Sequence, residues 1–167
     1  MLIQCTKKLA DAMKIKLEDY THDRESFYDW HANLFMFDRR KGVILMNNKT
    51  RYCIVLYGLK LNDFKKFDDI FISAIEETFL AEGLPPLKVK QYLKNCAEVK
   101  YTKTHDRSIL GQINDFHIHI SWEIEHHLPS ESINLVELNK WTGKLMTGPA
   151  MGYKYPIDLL RKEIENI

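Results

Sequence analysis

Cysteine is scarce in this chain. There are three, Cys5, Cys53 and Cys96, odd in number and widely spaced, with no CxxC pair. That argues against a disulfide framework or a zinc ribbon and points to a reducing compartment. Cys53 lies inside an apolar run and is expected to act as a small buried hydrophobe. Charge of one sign is also lacking: 24 Lys and Arg stand against 23 Asp and Glu, a formal net charge of +1. No global field draws such a chain to nucleic acid or membrane, so any anion binding has to come from a local patch. No apolar run approaches a membrane span and no apolar leader opens the sequence, so the expectation is a cytoplasmic protein that does not engage membranes. Internal repeats and low-complexity linkers are missing. So are the Walker A loop and the GxGxxG, GxSxG and zinc-finger spacings, which removes the commoner nucleotide-hydrolase and dehydrogenase signatures. No cofactor is expected.

What is present suits a globular protein. Hydrophobic residues make up 45% and charged residues 28% of 167 residues, which predicts one domain, 1–167, with a core that needs no staples. The organising stretch runs from Trp30 to Lys60. Leu34 to Phe37, Val43 to Met46 and Cys53 to Tyr57 are short apolar runs bounded by turn residues, and they predict three strands. Asp38-Arg39-Arg40-Lys41-Gly42 is too charged to bury and ends in a glycine that tolerates positive φ. Asn47-Asn48-Lys49-Thr50 is a second turn by the same logic. Phe35 and Phe37 share one strand face, Leu34 and Met36 the other. Both faces are apolar, so both require covering.

Around this meander the chain alternates less regularly. Leu2 to Cys5 predicts a strand, and Thr6 caps a helix from Lys7 to Lys14. Lys16 to Asp29 reads as a polar loop or a short helical turn. Phe64, Phe67, Phe71, Ile75 and Phe79 recur at helical spacing in a helix from Asn62 or Asp63 to near Glu82, stopped by Gly83 and Pro85-Pro86. That aromatic stripe is core rather than a ligand box. A shorter helix follows from Leu87 to Asn95, then a strand from Glu98 to Thr102. Ile109, Ile113, Phe116, Ile120 and Ile124 mark one face of a long helix capped by Thr104 or Asp106. Further helices are predicted from Glu131 to Lys144 and from Ile157 to Glu165. The order β-α-β-β-β-α-α-β-α-α-α predicts an α+β fold: a mainly antiparallel sheet with a central three-stranded meander, helices packed against it and a helical C-terminal third.

Three places offer chemistry. At Lys103 to Ser108 a strand delivers the chain to a helix start, where free N–H groups favour an anion and Lys103 and Arg107 add charge. Arg39, Arg40, Lys41, Lys49 and Arg51 come from the turns and strand ends of the meander, and reaching the same rim they would form a phosphate-sized pocket. Ordinary capping by Thr104 and Asp106 is the plainer explanation of that turn. His31 and Asn33 share a strand face where a base or a hydrogen-bond donor can be presented; the plainer role is satisfying backbone groups at a strand entrance. Asp115, His119, Glu123 and His126 fall on one polar stripe of the long helix, a spacing that allows a divalent metal. The spacing is not HExxH, a solvated face accounts for it, and no metal is expected.

Four blocks, IQCTKKL at 3–9, WHANLFMFDRRK at 30–41, TKTHDRSILGQINDF at 102–116 and YKYPIDLLR at 153–161, together resemble an uncharacterised bacterial family, the domain of unknown function DUF6933. The resemblance spreads over nearly the whole chain. It implies one complete domain and carries over no activity and no catalytic residue. Its blocks do include polar residues that a core would not require: Thr6, Lys7, Asn33, Arg39, Arg40, Thr104, Arg107, Asn114 and Asp115.

The leading expectation is a binding module for an anionic ligand: a nucleotide, a nucleic-acid phosphate or an acidic protein partner. Its surface combines Arg39, Arg40 and Lys41 with Lys103, Thr104 and Arg107, with Asn33 and Arg51 nearby. The alternative is a small metal-independent ribonuclease with His31 as general acid or base. A third is a structural protein forming a homodimer through an exposed sheet edge.

Overall fold

A computed structural model describes residues 1–20, 27–127 and 133–167. In chain order the elements are strand β1 (Leu2–Cys5), helix α1 (Lys7–Met13), strands β2 (Asp29–Phe37), β3 (Arg40–Asn47) and β4 (Cys53–Leu59), a 3-10 turn (Asp63–Lys66), helices α2 (Phe67–Ala81) and α3 (Pro86–Lys94), strand β5 (Lys100–Lys103), and helices α4 (Arg107–His127), α5 (Leu135–Thr142) and α6 (Pro156–Glu165), with a second 3-10 turn at Pro149–Met151. Part of the predicted loop, 21–26, and part of the linker before α5, 128–132, lie outside the described residues.

The five strands form one sheet in the order β4-β3-β2-β1-β5. The meander is antiparallel, as expected, but β1 runs parallel to both neighbours, with Cys5 opposite Ala32 of β2 and Lys103 of β5. The sheet is therefore mixed rather than mainly antiparallel. The physical reason is connectivity. Helices intervene between β1 and β2 and between β4 and β5, and a crossover of that length returns the chain in the same direction. The class remains α+β.

Alternation along the strands feeds two cores. Trp30, Ala32, Leu34, Val43, Leu45, Ile54 and Leu56 point to one face, where α1, α2, α3 and α6 cover them. The aromatic stripe of α2 is core: Phe67, Phe71, Ile75 and Phe79 are all buried. Phe35, Ile44, Met46, Cys53 and Val55 point to the other face, under Ile109, Ile113, Phe116, Ile120 and Ile124 of α4 and Leu138 of α5. Met36 escapes both and is exposed. All three cysteines are buried and unbridged, and burial pushes the thiols of Cys5 and Cys96 up to about 12. Cys53 is raised as well, for the same reason.

Both sheet edges are covered in part by the chain itself. On β4, Asn139 of α5 accepts from the Val55 backbone N–H at 2.7 Å and Thr142 donates to the Cys53 carbonyl at 3.3 Å. On β5, Glu18 donates to the Tyr101 carbonyl at 3.1 Å and accepts from Lys103 N–H at 3.0 Å. An edge covered in this way is a poor template for another strand.

The β2–β3 turn is tighter than the charged run suggested. Phe37 pairs with Arg40, and the two residues between, Asp38 and Arg39, both have positive φ, 43° and 60°. This is the two-residue geometry that matches the twist of a hairpin. Gly42 lies inside β3 instead, opposite Phe35. A Cβ there would overlap the Phe35 ring and stand 2.9 Å from the Leu56 carbonyl oxygen. Gly42→Ala is expected to destabilise the fold by about 1–3 kcal/mol, the usual cost of overpacking, read as a lower denaturation midpoint in urea. An unchanged midpoint would mean the ring moves aside freely.

Candidate functional site

On the α4 side of the sheet one row of neighbouring residues runs Thr102, Gln4, His31, Met46, Cys53 across the five strands. Three of the five are polar and two apolar. The apolar part lies under α4. The polar part is buried too, with Gln4 and His31 fully so; both His31 nitrogens and Gln4 Oε1 find partners in the loops on either side, whereas Gln4 Nε2 has none. His31 Nδ1 lies 2.8 Å from Asn48 Oδ1, and His31 Nε2 accepts the Asp106 backbone N–H at 3.4 Å. Since Nε2 accepts, the ring proton belongs on Nδ1 and is donated to Asn48. Burial lowers the His31 pKa to about 4; the Asn48 bond opposes the shift and the nearby His105 adds to it.

Asp106 caps α4 by accepting from Ser108 N–H at 2.7 Å and Ile109 N–H at 3.4 Å. Partial burial opposes its ionisation, but these bonds and the Arg51 charge outweigh it and hold the carboxyl below its usual range. Arg51 is itself buried, in the left-handed region at φ 61°. It donates to the Asn48 carbonyl and its Nη2 stands 3.9 Å from Asp106 Oδ2. His105 Nδ1 bonds Gln4 Oε1, and its ring stacks on Tyr20 at 3.9 Å. The result is a polar knot that ties the start of α4 to the sheet.

These contacts separate residues that the sequence suggested would meet. His31 shows no ring nitrogen to a substrate, because both are engaged inside the protein. Arg51 belongs to the knot. Lys103 is exposed and pairs with Asp19 at 2.5 Å, and Thr104 is half-buried in the loop before Asp106. Arg107 is exposed at the first position of α4. Asn33 accepts from Thr6 Oγ1 at 2.9 Å, where β1 hands over to α1. Arg39 and Arg40 lie at the other end of β2: His31 pairs with Met46 and Phe37 with Arg40, a six-residue difference in register. At about 3.3 Å per residue that is roughly 20 Å. The ribbon turn and the start of α4 therefore do not converge. The reason is local, since the Asp106–His31 bond fixes α4 over the end of the sheet opposite to that turn.

The turn makes a hollow without help from α4. A depression of about 540 Å³ is lined by Arg39, Arg40, Lys41 and Lys60 with Met36, Gly58, Leu59 and Leu61. Four of these eight side-chain positions are cationic and none is acidic. Lys41 also sits over the Phe64 ring at 5.6 Å, and Lys60 N–H is held by Asp63 Oδ2 at 2.7 Å. The hollow thus stands between two strand ends whose backbone is fixed. Met36 and Leu61 leave apolar surface beside the charges, 48% and 60% exposed. A larger groove of about 730 Å³ follows α4 on the side of Gln112, Asp115 and His119, and its surface is mainly apolar.

The metal stripe does not assemble. Among the described residues no group of three or more His, Cys, Asp or Glu is placed to hold an ion. Asp115, His119, Glu123 and His126 extend along about 16 Å of helix axis at 1.5 Å per residue. His126 turns back to donate to the Trp122 carbonyl at 2.7 Å.

Lys60, Gln4, Asn48 and Tyr20 had no place in the sequence-derived sites, and His105 only as part of the Lys103 to Ser108 turn. A glutamine inside the apolar run Leu2 to Cys5 was the available signal for the knot. Nothing in the spacing of Lys60 joins it to Arg39. His117 Nε2 and Ser121 Oγ, on the flank of α4, are buried without a hydrogen-bond partner, the kind of atom that ordered water serves.

The neutral state of His31 has a pH consequence. An unfolded histidine titrates near 6.5, whereas the folded His31 titrates near 4. Between those values the unfolded chain takes up a proton that the folded chain refuses. Stability is thus full above about pH 6.5 and falls as the pH drops towards 4, by at most about 3 kcal/mol from this group. Urea denaturation at pH 7 and pH 4.5 is expected to show this loss, and His31→Gln to reduce it. Equal acid sensitivity in both proteins would assign the effect elsewhere.

Among curated proteins none matches this chain. A family model does, and it covers the ribbon turn, the polar knot and most of both cores. The model described as a domain of unknown function (DUF6933) matches residues 2–159, nearly the full length, and the chain belongs to that family.

Proposed function

We propose that this protein is a binding module for an anionic ligand, held through phosphate groups in the hollow at the β2–β3 turn. The observation that carries the reading is the lining: Arg39, Arg40, Lys41 and Lys60 with no carboxylate among them. Several cations elsewhere on this nearly neutral chain are paired with acids. Lys49 pairs with Glu163, Lys103 with Asp19 and Lys140 with Glu137. Arginine adds a planar fork of donors that suits phosphate oxygens. Apolar Met36 and Leu61 beside the charges suit a ligand that carries a base or ring next to its phosphate.

The ribonuclease alternative loses its support. A general acid or base has to reach the proton that it moves, and His31 is enclosed, neutral and bonded through both nitrogens.

The test uses inorganic pyrophosphate and a short single-stranded RNA as probes, titrated by fluorescence or calorimetry over a range of salt. For RNA, four cations predict a slope of log K against log salt of about −3, and Lys60→Ala reduces its magnitude by somewhat less than one unit. Arg40→Glu with Lys60→Glu is expected to abolish binding of either probe. Pyrophosphate alone binding would identify a small phosphorylated ligand. No binding of either probe at low salt, or a slope unchanged in Lys60→Ala, would overturn the reading.

A further inference from the structure

Helix α4 turns Ile109, Ile113, Phe116, Ile120 and Ile124 to the sheet, so its opposite flank faces away from the protein. At about 100° per residue, Gly111, Ile118 and Trp122 lie at the outward pole, with Arg107, Asp115 and Glu125 beside them. All six are exposed, Ile118 by 68% and Trp122 by 57%. The core explains neither of these large apolar side chains, and they sit one turn apart on the wrong side of an amphipathic helix. Gly111 is equally unexplained from within: a Cβ there would meet nothing within 4 Å. Glycine at such a site costs about 1 kcal/mol relative to alanine. A bulky group from outside the chain, seated against bare backbone, gives it a use.

We propose that this flank is a dimer interface, with α4 of one copy packed antiparallel against α4 of a second. In a twofold contact, residue i of one copy meets residue j of the other and the reverse. One twofold, centred between Phe116 and His117, brings Gly111 opposite Trp122 and sets Arg107 and Glu125, and Asp115 and His119, within one residue of level. Each pairing occurs twice, and each is complementary: cation with carboxylate, indole over a gap, carboxylate with imidazole. Arg107 and Glu125 lie on the same edge of the helix, where antiparallel partners meet like edge to like edge. The helix dipoles oppose each other favourably in this arrangement. A parallel pair would hold Arg107 and Glu125 far apart along the helix axis and leave Gly111 facing glycine. The partly covered sheet edges direct association away from strand addition and towards this helix. One helix pair lies at the small end of specific interfaces, so the dimer forms in a concentration-dependent way, with Kd on the order of micromolar.

The experiment is sedimentation equilibrium of the full chain over a wide concentration range, with circular dichroism confirming that each variant folds. Wild type is expected to pass from monomer to dimer. Trp122→Ala raises Kd by about tenfold or more. Gly111→Leu does the same while raising the thermal midpoint of the monomer, because it fills the gap and improves helix propensity together. Asp115→His weakens the dimer, and adding His119→Asp in the same chain restores it, since the swapped pair still matches. A chain that stays monomeric throughout, or a dimer indifferent to Trp122→Ala and Gly111→Leu, would overturn the proposal. So would a dimer that the double swap fails to rescue.

Discussion

From Asp29 to Phe35, strand β2 is covered on both faces, and much of this structure follows from that. Its odd and even side chains serve different cores, so every polar group it carries inward needs a partner within the protein. His31 is the polar side chain on that strand that is fully enclosed. Its two ring nitrogens take one donor and one acceptor from separate loops, Asp106 from the start of α4 and Asn48 from the β3–β4 turn. The long helix on the second face is thereby tied at its start to the imidazole, beside the Arg51–Asp106 and His105–Gln4 contacts. The hydrophobic contacts of α4 decide that it lies on the sheet. The imidazole decides where along the sheet it begins.

The same anchoring sorts the arginines. Arg51 comes from the turn at the covered end of the meander, where α4 starts, and it is absorbed into internal bonds with Asn48 and Asp106. Arg39 and Arg40 come from the turn at the opposite end, beyond the start of α4 and clear of the knot. Residues of one type, in turns joining the same three strands, therefore have different roles because the helix begins at one end of β2 and not at the other. Coulombic arguments from sequence spacing miss this, since a hairpin places its two ends far apart while the chain passes between them quickly.

Much of the architecture was legible. The apolar runs gave the meander, the 3.6-residue recurrence of Phe and Ile gave α2 and α4, and Gly83 with the two prolines gave the break between α2 and α3. Strand direction was less legible, because β1 and β5 are four residues each and such short segments carry no sign of their neighbours' orientation. The turn at Asp38 is shorter than its charged run, because Asp38 and Arg39, and not the glycine, adopt positive φ. Three of the four cations that line the hollow, Arg39 to Lys41, stand together in the sequence, but the fourth, Lys60, arrives from a strand end two elements later. The contribution of α4 to that site failed because element order says nothing about which end of a sheet a helix starts from. Gln4 and Asn48 were legible only as a misfit and a turn former, yet both line the knot.

The burial of Cys5, Cys53 and Cys96 has a use beyond packing. Only the thiolate reacts with disulfides, peroxides or alkylating reagents, and enclosed thiols held protonated offer almost none of it. The three are distributed over β1, β4 and the turn after α3. Each therefore becomes reactive only when its own part of the sheet or helical cover opens. The chain carries a built-in set of reporters of local opening, in which the order of sulfur modification would trace the order in which its layers come apart.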